Sequence, residues 1–120
     1  MDGVFNELRA QVFLAIDEPL HACFEAEKCV ALNSNWVAGH HTLARARRET
    51  GEVELSLASY RTAYELSCKG MMHSINDTDQ FNEIKEELAE IEQLAQQLRA
   101  QQLQYEQSLT GIYTLVRLIG

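Results

Sequence analysis

Residues 36–66 read WVAGHHTLARARRETGEVELSLASYRTAYEL, and they divide at one glycine. Before Gly51, the side chains of Trp36, Leu43, Ala46 and Arg47 fall on one side of a helix turning about 100° per residue. After it, Val53, Leu57, Tyr60 and Tyr64 form a second stripe at spacings of three and four. Glycine readily takes the left-handed conformation just past a helix end. The stretch therefore predicts one helix from about Trp36 to Thr50, a turn at Gly51, and another helix from about Glu52 to Ser67. Leu43, Val53, Leu57, Tyr60 and Ala63 are the expected core of this hairpin. A hairpin this short cannot bury its own apolar face, so it needs neighbours to stack against.

The flanking sequence supplies them. Upstream, Asp2 is placed to cap a helix running to about Ile16, with Phe5, Leu8, Val12, Phe13 and Ile16 as its apolar side. Asp17 or Glu18 can then cap a second helix, from Pro19 to about Leu32, because proline suits the first helical position. The NSN turn at 33–35 offers Ser34 or Asn35 as the next cap. Downstream, residues 68–78 read as a loop. A long helix, rich in Glu, Gln, Leu and Ala, runs from Thr78 or Asp79 to about Gln107. The composition then changes abruptly into the apolar tail 109–119.

Short helix pairs call for a search at repeat periods. A shift of 34 residues places Ala10 on Ala44, Asp17 on Gly51, Ala22 on Ser56 and Cys29 on Ala63. Small residues and turn positions survive the shift, although few identities do. The segment HHTLARARRETGEVELSLASYRTAYEL resembles a tetratricopeptide repeat. Leu43, Gly51, Ser56, Tyr60 and Ala63 stand at its leucine, turn-glycine, small, aromatic and small positions. His40, Ala44, Arg47 and Cys68 depart from its usual tryptophan, glycine, tyrosine and proline. Residues 3–36 resemble a degenerate preceding repeat, and about residues 9–67 are similar to one branch of that family. The resemblance implies a right-handed helical solenoid that binds other proteins and performs no catalysis. It further implies that the first helix of each pair lines a concave surface.

The chain has 120 residues and a net charge of −8, enough for one modest core and poorly suited to nucleic acid or an anionic membrane. The N-terminal MDGVFNELRAQ lacks a signal-peptide pattern, and no apolar stretch approaches the ~20 residues a membrane span needs. Three cysteines, Cys23, Cys29 and Cys68, show no CxxC spacing and read as reduced, buried thiols of an intracellular (cytoplasmic or nuclear) protein. The adjacent His40 and His41 point about 100° apart, so one regular helix cannot present both to one metal ion; His40 reads as half-buried packing. No nucleophile elbow or phosphate loop is present, and the glutamates of the long helix spread around it. Neither an enzyme, a metal nor a cofactor is expected.

Two features remain. His41, Arg45 and Arg48 form a basic row opposite the packing side of the third helix; one repeat earlier stand Glu7, Gln11 and Leu14. The resemblance makes His41, Arg45, Arg48, Gln11 and Glu7 the candidate partner-binding groove, suited to an acidic segment of a protein partner. Alternatively, Arg45 pairs with Glu49 on a solvated face. On the long helix, Phe81, Ile84, Leu88, Ile91, Ala95, Leu98, Gln102 and Tyr105 alternate at three and four, a seven-residue repeat. It reads either as a cap on the second hairpin, over about 81–91, or as a seam for weak homodimerisation. The tail docks on this domain, binds a partner, or forms an atypical end.

The expected fold is thus all-α: a helical-hairpin solenoid of two tetratricopeptide-like repeats (3–34 and 36–67) with a long C-terminal capping helix (79–107). Residues 1–107 form one domain and 108–120 the tail. The expected role is a protein-interaction adaptor or scaffold, with a structural subunit of a larger or self-associated assembly as the alternative.

Overall fold

The computed structural model describes residues 3–70 and 78–119. These form five helices in the order α1 (Val4–Ala15), α2 (Pro19–Leu32), α3 (Val37–Glu49), α4 (Val53–Gly70) and α5 (Thr78–Ile119). Pro19 opens α2 as expected, after Glu18 rather than Asp17. Trp36 precedes α3 in place of Ser34 or Asn35, and its side chain makes no cap bond. The expected cap Asp2, and His73, lie outside the described residues. Of the expected loop 68–78, residues 68–70 extend α4 and residues 71–77 lie outside the described residues.

The 34-residue period is written in the two turns. Asp17 has φ 62° and Gly51 φ 83°, both left-handed. The Glu18 N–H donates to the Phe13 carbonyl at 2.7 Å, and the Glu52 N–H to the Arg47 carbonyl at 2.9 Å. One residue earlier in each turn, the Asp17 N–H donates to Leu14 O at 3.2 Å and the Gly51 N–H to Arg48 O at 3.0 Å. Such paired bonds satisfy the last carbonyls of a helix and define the Schellman closure. Both hairpins therefore turn by one device, with aspartate tolerated at the first and glycine at the second.

Packing repeats with the same period. Ala10 and Ala44, Ala22 and Ser56, Ala26 and Tyr60, Cys29 and Ala63 are all fully buried. Except at Tyr60, small side chains at these places let the helices cross closely. Ser56 is admitted to the interior because its Oγ donates to Ala44 O at 2.7 Å. At Gly39 a Cβ would meet the Cys29 Sγ at 2.9 Å, so α2 and α3 approach closely only because that position has no side chain. Leu57 and Tyr60 join α3 to α4 as expected, with Val53 half-buried beside them. Leu43 instead packs away from α4, with Ala10 and Ala26.

Two expectations are corrected. On α1 the interior is reached by Ala10 and Glu7, with Phe13 and Leu14 half-buried; Phe5, Leu8, Val12 and Ile16 are exposed. Phe5, Leu8 and Val12 line a shallow pocket there with Phe13 and with Glu25 of α2. The second correction concerns the tail, which is helical. α5 continues without a break through 42 residues to Ile119. At about 1.5 Å per residue it spans roughly 63 Å, which accounts for the 66 Å long axis of the molecule.

The first half of α5 is the cap. Ile84, Ile91 and Ala95 are buried, and Ile91 and Ala95 join Ala44, Leu57 and Tyr60 in one cluster. Phe81 stacks on Tyr64 with ring centroids 5.5 Å apart. At the other end of the contact, Arg99 donates to Glu54 at 2.7 and 2.8 Å. Phe81 meets the C-terminal part of α4 and Arg99 its N-terminal part, so the two helices run antiparallel. Ala95, weak as a coiled-coil residue, fits because it enters the small space beside Leu57 and Tyr60. Beyond Arg99, α5 has left α4 behind and stands in solvent.

Candidate interaction groove

The site is built on α3, which α1, α2 and α4 flank and whose row His41, Arg45 and Arg48 turns towards α5. On α5, Glu83, Glu87 and Glu90 repeat the spacing of four and three found in that row. The two rows meet. The His41 Nε2–H donates to Glu87 Oε2 at 2.7 Å, and the Arg45 guanidinium donates to both Glu87 oxygens at 2.7 and 3.0 Å. Arg45 also reaches Glu83 at 3.4 Å, and Arg48 donates to Glu90 at 3.1 Å. The Tyr60 hydroxyl donates to Glu87 at 3.2 Å. Glu87 is thus the hub where α3, α4 and α5 join. The Arg45–Glu49 pair weighed from sequence does not form; Arg45 takes its partners from α5.

The electrostatics follow from this hub. Burial pushes the Glu87 carboxyl up, but the hydrogen bonds from His41 and Arg45 outweigh it and hold the group at about 2. Burial, with the negative charge of Glu87 beside it, pushes the Tyr60 phenol well above its ordinary value. Tyr60 is therefore a donor at any physiological pH. The hydrogen bond to Glu87 raises the Arg45 guanidinium still further. His41, Glu83 and Glu87 bring ligand-type atoms within 4.8 Å of one another. The Arg45 guanidinium donates to both carboxylates there and supplies the positive charge a cation would bring, so the group does not fit a metal.

Of the five candidate residues, the structure brings three to a common surface. Gln11, Arg45 and Arg48 line a cavity of ≈ 590 Å³ together with Leu14, Ala15, Thr42, Glu49, Tyr60 and Glu87. Glu7 and His41 are buried beneath it. Glu7 accepts from the Thr42 hydroxyl at 2.8 Å and from the Gln11 side-chain amide, which ties α1 to α3. Arg45 and Arg48 keep 42% and 36% of their side chains exposed, so each can still meet a ligand. Thr42, Tyr60 and Glu87 were not anticipated as lining. The signal for Glu87 was present in the matched spacing of the two charged rows.

The departures from the repeat pattern have local reasons. His40 is buried, and its Nε2–H donates to Ser34 O at 2.7 Å, so it packs and pins the α2–α3 turn. Arg47 donates to Ser59 at 2.8 Å and approaches Glu27 at 3.8 Å, tying α3 to both α4 and α2. Cys23 and Cys29 are buried, and burial raises both thiols. Cys68 is exposed, contrary to expectation.

The helical-hairpin architecture with its C-terminal helix is of the tetratricopeptide-like class. Among solved structures, the chain is similar to the NMR structure of the first TPR domain of the human RPAP3 protein. The identity is 21% and the TM-score 0.54, over 77% of this chain and 69% of that one. No family model and no curated protein matches the chain. Among the described residues, no helix is long and apolar enough to cross a membrane.

Proposed function

We propose that the chain is an intracellular, non-enzymatic protein-interaction module whose groove on α1 and α3 receives a segment of a partner protein. The observation that carries this reading is the cavity lined by Gln11, Leu14, Arg45, Arg48 and Tyr60 on the wall where tetratricopeptide-like solenoids have their concave face. Similarity to the TPR domain of RPAP3 supports the architecture on which it rests. The resemblance of residues 9–67 to tetratricopeptide repeat protein 33 is part of the same proposal.

The favoured ligand is a carboxylate-bearing segment, and it competes with the chain's own glutamates. Exchange is easiest at Arg48, whose pair with Glu90 is exposed on both sides. At Arg45 the incoming group would have to replace a partly buried bidentate bond to Glu87. Partners captured from a cell extract and identified by mass spectrometry supply the peptide for the test. Arg48→Glu is expected to abolish binding with helical circular dichroism retained. Glu90→Gln is expected to tighten it by freeing Arg48. Equal binding in all these variants would remove the groove from the account.

A second reading, a structural subunit of a larger assembly, is favoured by one observation: the part of α5 beyond Arg99 is apolar and exposed.

A further inference from the structure

The stripe that caps the second hairpin does not stop where the cap stops. Phe81, Ile84, Leu88, Ile91 and Ala95 continue as Leu98, Gln102, Tyr105, Leu109, Ile112, Val116 and Ile119, with spacings of three and four unbroken. Up to Ala95 the stripe is covered by α4. From Leu98 onward it faces water: Ile112 is 55% exposed, Val116 60% and Ile119 85%. Three heptads of a seven-residue repeat on a formed helix suit a partner helix with the same period.

Charge says which helix this is. Residues 98–119 hold Arg99 and Arg117 against Glu106, a net charge of +1, while the whole chain carries −8. The nine net negative charges before Leu98 repel other acidic surfaces and other copies of themselves. The projecting segment, with three charged side chains in 22 residues, does not. We infer that the seam from Gln102 to Ile119 pairs with the same seam of a second copy, as an antiparallel two-stranded coiled coil. Antiparallel pairing keeps the two acidic heads at opposite ends, beyond the ~10 Å over which charges act at ordinary salt. The register that sets Leu109 opposite Ile112 of the second copy also sets Tyr105 opposite Val116. It leaves Gln102, the one polar seam residue, at each wet end of the coil.

This deepens the assembly reading and is independent of the groove. The test is light scattering with small-angle scattering on the full chain at micromolar concentration. Twice the 13.6 kDa chain mass is expected. The maximum dimension is expected to rise from the 66 Å of one copy to about 100 Å, since the overlap of about 18 residues spans only ~27 Å. Ile112→Glu with Val116→Glu, both on exposed positions, should halve the mass while helicity and groove binding stay intact. Leu103→Glu, equally exposed but off the seam, should leave the dimer. A wild-type monomer overturns the proposal, whether it stays free or binds neutral phosphatidylcholine vesicles through this helix. A dimer untouched by the seam variant, or one broken instead by Leu8→Glu with Val12→Glu on α1, overturns it too. A dimer no longer than one copy overturns the antiparallel arrangement.

Discussion

Replacing Glu87 by glutamine should loosen the joint between α5 and the repeats in a way that depends on pH. The carboxyl is held at about 2, against an ordinary value of 4.5. That difference corresponds to roughly 3 kcal/mol of stabilisation of the charged form. Arg45 is 42% exposed, so solvent screens part of its share, and about 2 kcal/mol is the working value for the loss on Glu87→Gln at pH 7. Glutamine can still accept from Tyr60, which keeps the loss below that of an unfilled buried site. Folding depresses this pKa, so the stabilisation is whole above the unfolded value, at about pH 5 and higher. It drains as the pH falls towards 2, where the wild type is itself protonated. Urea unfolding followed by circular dichroism at pH 7, 5 and 3.5 should show the two proteins converging as the pH falls. A difference that is the same at every pH, or absent at pH 7, would show that Glu87 is not the charged hub described.

Two further outcomes follow from local geometry. Gly39→Ala should destabilise by about 1–2 kcal/mol, because a Cβ 2.9 Å from the Cys29 Sγ strains the α2–α3 crossing by more than alanine's helix propensity returns. Adding Cys29→Ala should restore most of that loss, and strictly additive effects in a urea double-mutant cycle would contradict the contact. With a thiol reagent under native conditions, Cys68 should react rapidly while Cys23 and Cys29 react only on unfolding; three fast thiols would place both buried cysteines wrongly.

Much of the repeat architecture is legible in the sequence, because hairpin solenoids demand small residues at helix crossings and a left-handed residue at each turn. Ala10 and Ala44, Ala22 and Ser56, and Asp17 and Gly51 carry that demand 34 residues apart. The first half of α5 is legible for the same kind of reason, in the stripe Phe81, Ile84, Leu88 and Ile91. The exposed side of α1 is not, since periodicity tells which residues share a face and not which face is covered. Phe5, Leu8 and Val12 therefore look like core and are not. The basic row is found by its spacing, but its partners lie 38 to 46 residues away in sequence, beyond the reach of local pairing rules. The helical tail is hidden by a change of composition at Ser108. Helices tolerate such a change, and the seven-residue spacing crosses it intact.

Two tetratricopeptide-like hairpins become a stable domain only when the first half of α5 covers α4. Burial of Ile84, and of Ile91 and Ala95 against Leu57 and Tyr60, supports this, each large side chain contributing about 1.5–3 kcal/mol before entropy is subtracted. The direct measurement is the thermal unfolding of a fragment ending at residue 72, beside one ending at residue 101. The 1–72 fragment is expected to be aggregating or molten, without a cooperative transition, and the 1–101 fragment to melt as the full chain does. A 1–72 fragment that melts cooperatively at the full-length temperature would contradict it.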